Sequence, residues 1–203
     1  QLYSRLEATY QIAPNHSIGT SISYNHMPSN KGVAKMNSFL FKDQQVTENS
    51  YSKIWTPEQV SSVTNNMYYV GKIGKVGLDF NLDWLWNKKK ECSKTQEVCQ
   101  EIGKDEQNIQ VESKNNTKNN LIASKLVLTI PCFRGTFSVG GEYSKCTRDN
   151  NYIVFPKDIL EDKYGRIVES LGSGFMEYSK KIGALKLLLG LRYELLDYNY
   201  HEK

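Results

Sequence analysis

The chain has 203 residues, a net charge of +4 and a mean hydropathy of −0.56. No apolar run approaches the roughly 18 residues of a membrane helix, which excludes helical spans but not barrel strands, whose composition averages out polar. The mild charge, with Lys and Arg scattered, argues against nucleic acid as a partner, and 13 Tyr against 5 Pro suit an all-β chain.

In chain order, residues 2–13 alternate Leu2, Ser4, Leu6, Ala8, Tyr10 and Ile12 against Tyr3, Arg5, Glu7, Thr9 and Gln11. Successive side chains of a strand point to opposite faces, so this is a strand with one charged face. Pro14 and Asn15 signal a tight turn, and residues 16–26 give a second strand, with Ile18, Thr20, Ile22 and Tyr24 on one face. Residues 27–60 are long and polar and read as a loop; within them SFLFKDQQVTENSYSKIW suggests a smaller hairpin around 43–46. Residues 61–72 form a weak strand that ends in a turn at Gly71, Gly74 and Lys75. Residues 75–87 then alternate cleanly: Val76, Leu78, Phe80, Leu82, Trp84 and Trp86 face one way, and Gly77, Asp79, Asn81 and Asp83 the other, with Leu85 the apolar intruder.

Residues 88–117 are charged and read as a second long loop, leading into a strand at 121–130 with Ile122, Leu126, Leu128 and Ile130 opposite Lys125 and Thr129. After a short turn, Phe137, Val139 and Tyr143 oppose Ser138, Gly140, Glu142 and Ser144. Residues 148–166 read as a third loop, and 166–181 as a strand with a bulge or kink expected at Gly172-Ser173-Gly174. The last strand, ALKLLLGLRYELLDYNY, is the clearest. Leu185, Leu187, Leu189, Leu191, Tyr193 and Leu195 share one parity, and Lys186, Arg192 and Glu194 hold the other. Every-second-residue apolar spacing excludes an amphipathic helix.

Short turns near 14, 73, 133 and 183, separated by long polar connections, predict an all-β, antiparallel up-and-down meander of about eight long strands in one domain over 1–203. Tight turns at one end and long connections at the other are the asymmetry of an outer-membrane barrel. This chain is either part of such a barrel or a small closed one. Phe80, Trp84, Trp86, Leu185, Leu187, Leu189 and Leu191 are then candidates for the lipid face and its aromatic girdle. Arg5, Glu7, Asp79, Asn81, Asp83, Lys125, Glu142, Arg192 and Glu194 are candidates for the lumen lining.

The motifs NNMYYVGKIGKVGLDFNLDWL, NNLIASKLVLTIP, GTFSVGGEYS and FMEYSKKIGALKLLLGLRYE together resemble the barrel of TonB-dependent outer-membrane receptors, nearest the outer-membrane β-barrel group abundant in Bacteroidetes. The hairpin from Glu177 to Glu194 is the most specific part. The resemblance implies an outer-membrane location and uptake of a nutrient such as a glycan or metal chelate. It also implies a plug domain and a TonB-type energy coupler as partners in the full-length protein, beside outer-membrane lipid, in a plugged barrel of about 22 strands. The sequence lacks a recognisable plug domain, a TonB box and a closing aromatic strand, so it is expected to be an internal slice.

Two alternatives stand beside this: a complete eight-stranded adhesin or structural barrel, and a soluble all-β ligand-binding domain. Catalysis is not expected. Asp79 and Asp83 on one strand face would be about 13 Å apart, too far for a two-carboxylate site on that strand alone. No motif for a nucleophile, a phosphate loop or a cofactor occurs. His16, His26 and His201 sit at expected strand ends without ligand-type neighbours, so neither a metal nor a cofactor is expected. Cys92 and Cys99 flank SKTQEV at a spacing that permits a local disulfide. Cys132 and Cys146 are expected not to bond, because an intervening strand would hold them tens of ångströms apart. An isolated slice is expected to self-associate or curl closed, since an uncovered leucine ladder aggregates in water.

Overall fold

Alternation dictates the architecture, and the computed structural model, which describes residues 1–157 and 161–202, shows where it leads. Eight strands form one antiparallel sheet in sequence order: β1 (Leu2–Ala13), β2 (His16–Lys42), β3 (Gln45–Ile73), β4 (Val76–Glu101), β5 (Gln107–Cys132), β6 (Gly135–Phe155), β7 (Lys163–Ile182) and β8 (Leu185–Glu202). Each strand is hydrogen-bonded to its neighbours in sequence, as short turns require. At one end of the sheet the connections are two residues each, at 14–15, 74–75, 133–134 and 183–184. Gly74 and Gly183 take φ of +62° and +61° there, the left-handed geometry that two-residue hairpins need. The turn at Phe133 and Arg134 reaches the same geometry without glycine, at φ 48° and 57°.

The opposite end corrects the expected loops. Residues 27–60 are the outer parts of β2 and β3 joined by a two-residue turn at Asp43 and Gln44, which bears out the hairpin suspected there. Residues 88–117 are strand except for 102–106, and of 148–166 only 156–162 lie between strands, with 158–160 outside the described residues. The strands therefore run on well past the alternating stretches: β3 has 29 residues where about ten cross a membrane. His26, expected at a strand end, consequently lies inside β2.

Irregularities fall elsewhere than expected. The ladder through Gly172, Ser173 and Gly174 is unbroken on both sides, so no bulge occurs there. The register instead shifts between Met27 and Asn30 of β2, around Pro28, and at Leu40/Phe41 and Gln11/Ala13. One extra residue at the β2 bulge swaps its faces: before it the even positions share the face of Trp84, and after it the odd ones do.

Cross-strand partners share a face, so the registers sort every strand into two sets. The first face collects Leu6 and Tyr10 of β1, Ile18 and Ile22 of β2, Met67 and Tyr69 of β3, Val76 to Trp86 of β4 at every second position, Ile122 to Ile130 of β5, Val139 and Tyr143 of β6, Met176 of β7, and the odd leucines of β8. This face has nothing packed on it. Leu6 is 71% exposed, Leu189 59% and Leu191 72%, and Val154 is the one buried apolar side chain among the described residues. The sheet has no second layer to make a core. Nor does it close: β8 pairs with β7 and β1 with β2, and the two outer strands do not meet. The expected self-closure is therefore not formed, and neither is a complete eight-stranded barrel.

Candidate functional site: an oblique apolar belt and a charged second face

The apolar face is a bounded belt. On β4 it comprises Val76, Leu78, Phe80, Leu82, Trp84 and Trp86 and stops at Lys88; on β8 it comprises Leu185 to Leu195 and stops at Asp197. Six alternate positions span about 33 Å along a strand. Leu78, Leu128, Val139, Met176 and Leu191 form one cross-strand row. On β4 one belt position lies on the turn side of that row and four lie beyond it. On β8 three lie on the turn side and two beyond. The belt is thus offset by four residues, about 13 Å, over four strand spacings of about 4.8 Å each. Those lengths give an angle of about 35° between the strands and the normal to the belt, the tilt of membrane barrel strands. Corrected for that tilt the belt is about 27 Å tall, close to the ~25 Å apolar band of outer-membrane barrels.

The structure puts every sequence-predicted lipid-face residue, Phe80, Trp84, Trp86, Leu185, Leu187, Leu189 and Leu191, on this face. Trp84 and Trp86 close the belt at its long-strand edge. The Trp84 indole Nε1 donates to Asn120 Oδ1 at 2.8 Å, the half-wet position that suits an interfacial tryptophan.

The second face carries every sequence-predicted lumen residue, Arg5, Glu7, Asp79, Asn81, Asp83, Lys125, Glu142, Arg192 and Glu194. Four of them form a connected charge row across β5, β6 and β8. Lys125 Nζ lies 2.7 Å from Glu142 Oε1, Arg192 Nη2 donates to Glu142 Oε2 at 2.7 Å, and Arg192 Nε donates to Glu194 Oε1 at 2.5 Å. Arg192 reaches Glu142 across β7 by passing over Phe175, its guanidinium carbon 5.8 Å from the ring centre, while Lys125 Nζ sits 5.5 Å from the same ring. Phe175 can lie across β6 because its partner is Gly140: a Cβ there would come within 2.5 Å of the ring. Tyr68 repeats the device, lying over its partner Gly19 to bond Thr9 at 2.7 Å. Sequence reading did not single out Phe175 or Tyr68. A bulky aromatic facing a glycine on the adjacent strand is the signal that could have found them.

The remaining lumen candidates stay apart. Asp83 accepts from Asn66 Nδ2 and Asp79 from Asn81 Nδ2, each at 2.7 Å, so the two carboxylates have separate partners. Arg5 pairs with Glu7 at 3.0 Å on β1. All these pairs are partly exposed, and they suit a water-lined wall. Leu85 pairs with Leu121 on this face, which accounts for the intruder.

The cysteine expectation is corrected. Cys92 and Cys99 lie on the same strand seven residues apart on opposite faces, so about 23 Å separates them, and both are free. Cys92 donates to Glu112 at 3.6 Å; Cys99 donates to Glu48 Oε1 at 2.7 Å, and that hydrogen bond, with some desolvation, pushes its thiol up to about 11. Cys132 ends β5 and Cys146 lies on the other face of β6, and they too are unbonded.

Beyond the belt, on the long-strand side, β4 and β5 carry mostly polar residues on both faces. Arg166 holds Asp149 through two hydrogen bonds, at 2.5 and 3.1 Å, which lower the Asp149 carboxyl below its ordinary value of 3.8.

A family model described as the outer membrane protein beta-barrel family matches residues 70–203. A search of curated sequences found no match. Among solved structures, the Pseudomonas aeruginosa receptor FpvA bound to a heterologous ferric pyoverdine aligns over 98% of this chain and 35% of its own, at 9% identity and a TM-score of 0.36. The unliganded ferric citrate transporter FecA aligns over 98% and 38% at 10% identity and a TM-score of 0.34. The chain thus spans well under half the length of either. The matched segment takes in β4 to β8, including the β4 belt, the charge row and the leucine ladder. The chain belongs to the outer membrane protein beta-barrel family, and its place is the outer membrane.

Proposed function

We propose that the chain forms part of the wall of a TonB-dependent nutrient-uptake barrel and performs no chemistry of its own, the plug and the coupling to the inner membrane lying outside these residues. The observation that carries this reading is the pair of outer strands. β1 sets Leu2, Leu6 and Tyr10 against Arg5 and Glu7, and β8 sets its leucines against Arg192 and Glu194. Each has the two-faced pattern of an inner wall strand and a free hydrogen-bonding edge, so each is built for another neighbour. Eight strands tilted by about 35° cover about 47 Å of wall, roughly a third of a barrel of about 22 strands. A barrel that wide needs a plug to keep the membrane sealed. The charge row around Glu142 then faces the lumen as part of the ligand path.

The full-length protein in a planar lipid bilayer separates this from the alternatives. A plugged receptor is electrically silent at rest and conducts when urea unfolds the plug. Steady conductance without urea would make it an open pore. A stable barrel assembled from these eight strands alone would favour the adhesin or structural reading.

A further inference from the structure

Directly beyond the tryptophan edge of the belt, on the same outward face, the register lines up Lys88, Lys118, Asp149 and Arg166 in one cross-strand row, with Lys90 at the next outward position of β4. Lys88 and Lys118 are direct partners, an arrangement in which like charges repel. Asp149, the acid of the row, is already engaged by Arg166 and by the Tyr164 hydroxyl at 3.2 Å. Among the described residues, Lys88, Lys90 and Lys118 make no ion pair, whereas Lys89, on the other face between two of them, pairs with both Glu58 and Glu91. These side chains line a shallow groove of about 480 Å³.

Lys118 stands opposite Asp149, but four cations, Lys88, Lys90, Lys118 and Arg166, against that one carboxylate leave the groove with three net positive charges, which call for an anion from outside the chain. Their position says which one. The outward face below them is covered by lipid tails as far as Trp84 and Trp86, so the next layer, where the lysines stand, is the headgroup layer. We propose that Lys88, Lys90 and Lys118 form a docking surface for the phosphate headgroup of an anionic lipid of the leaflet on the long-strand side, its acyl chains lying on the belt beside Trp84 and Trp86. The inference rests on the outer-membrane location and not on the uptake function, so the two can fail separately.

The test uses the full-length protein in a neutral detergent, with diphosphoryl lipid A, phosphatidylethanolamine or inorganic phosphate added and bound lipid counted by native mass spectrometry. The variant is Lys88→Gln, Lys90→Gln and Lys118→Gln together. Lipid A is expected to bind the wild type in preference to phosphatidylethanolamine. The triple variant is expected to lose about a hundredfold in affinity, from about fivefold per lysine at a membrane surface. Replacing the same three by Arg is expected to retain binding, and millimolar inorganic phosphate is expected not to displace the lipid. Wild-type affinity in the triple variant overturns the proposal, as does full displacement by inorganic phosphate, which would mean a site for a free anion. Should the Gln variant fail to assemble, the wild type alone decides: affinity must fall as salt is raised, and a salt-independent affinity overturns the proposal.

Discussion

Leu78 and Leu191 stand in the same cross-strand row, yet the oblique belt puts them at different depths in the bilayer. Replacing each by Arg separates depth from row. Leu191 is the fourth of six belt positions on β8, half a step from the centre, or about 3 Å along the membrane normal at a 35° tilt. Leu78 is the second of six on β4, one and a half steps from the centre, or about 8 Å along the normal on the same basis. An Arg on the lipid face of a barrel costs about 2–4 kcal/mol at the midplane and about 0–1 near the interfaces. Leu191→Arg is therefore expected to destabilise by about 3 kcal/mol and Leu78→Arg by about 1–2. Equilibrium unfolding in urea, with the full-length protein folded into lipid vesicles, reads the difference directly. Equal losses, or a larger loss at Leu78, would refute the tilt derived from the belt offset.

Other consequences follow from single contacts. Cys99, with its thiol near 11 and hydrogen-bonded to Glu48, should react with iodoacetamide at pH 8 about tenfold more slowly than an ordinary cysteine, because a hundredfold smaller thiolate fraction is partly offset by higher nucleophilicity. Glu48→Gln should restore the rate, and an unchanged rate would show that the bond does not form. Asp149 has a lowered folded pKa, so its pair with Arg166 stabilises fully above the unfolded value of 3.8 and is lost as pH falls through the lower folded value. Amide exchange at the outer ends of β6 and β7 should rise selectively across that acid window, and Asp149→Asn should abolish the dependence. At the 133–134 turn, two non-glycine residues with positive φ cost about 1–2 kcal/mol each. Phe133→Asn with Arg134→Gly should raise the unfolding midpoint, and a lower midpoint would mean that the Phe133 side chain, 86% exposed, makes a stabilising contact outside the turn.

On β4 and β8 the belt was legible in the sequence. From Val76 to Trp86 and from Leu185 to Leu195 one face is apolar and the other polar, and that contrast is period two in the residues. Past the belt on β4 and β5 the contrast ends, because both faces are mostly polar. Stretches such as Lys88-Lys89-Lys90 and Asn115 to Asn120 then carry no alternation, although they are as much strand as the leucine ladder. There the backbone ladder holds the sheet, and composition mimics a loop. In β2 the bulge near Pro28 reverses parity, so no single periodicity describes the strand. At Gly172 and Gly174 the missing side chains hid the parity, and the gap resembled a kink where the ladder is regular. The lumen candidates were legible by face, but their connection through Phe175 was not, since Arg192 and Glu142 meet across an intervening strand.

The central claim is that one face of this sheet meets lipid and the other meets water. Nitroxide labels placed one at a time along residues 185–196 of the full-length protein, with Cys92, Cys99, Cys132 and Cys146 replaced, test it in lipid vesicles. Collision with oxygen, which partitions into lipid, should peak at 185, 187, 189, 191, 193 and 195. Collision with a water-soluble nickel chelate should peak at the even positions. Loss of that two-residue alternation, or high nickel access at Leu189 and Leu191, would contradict the account.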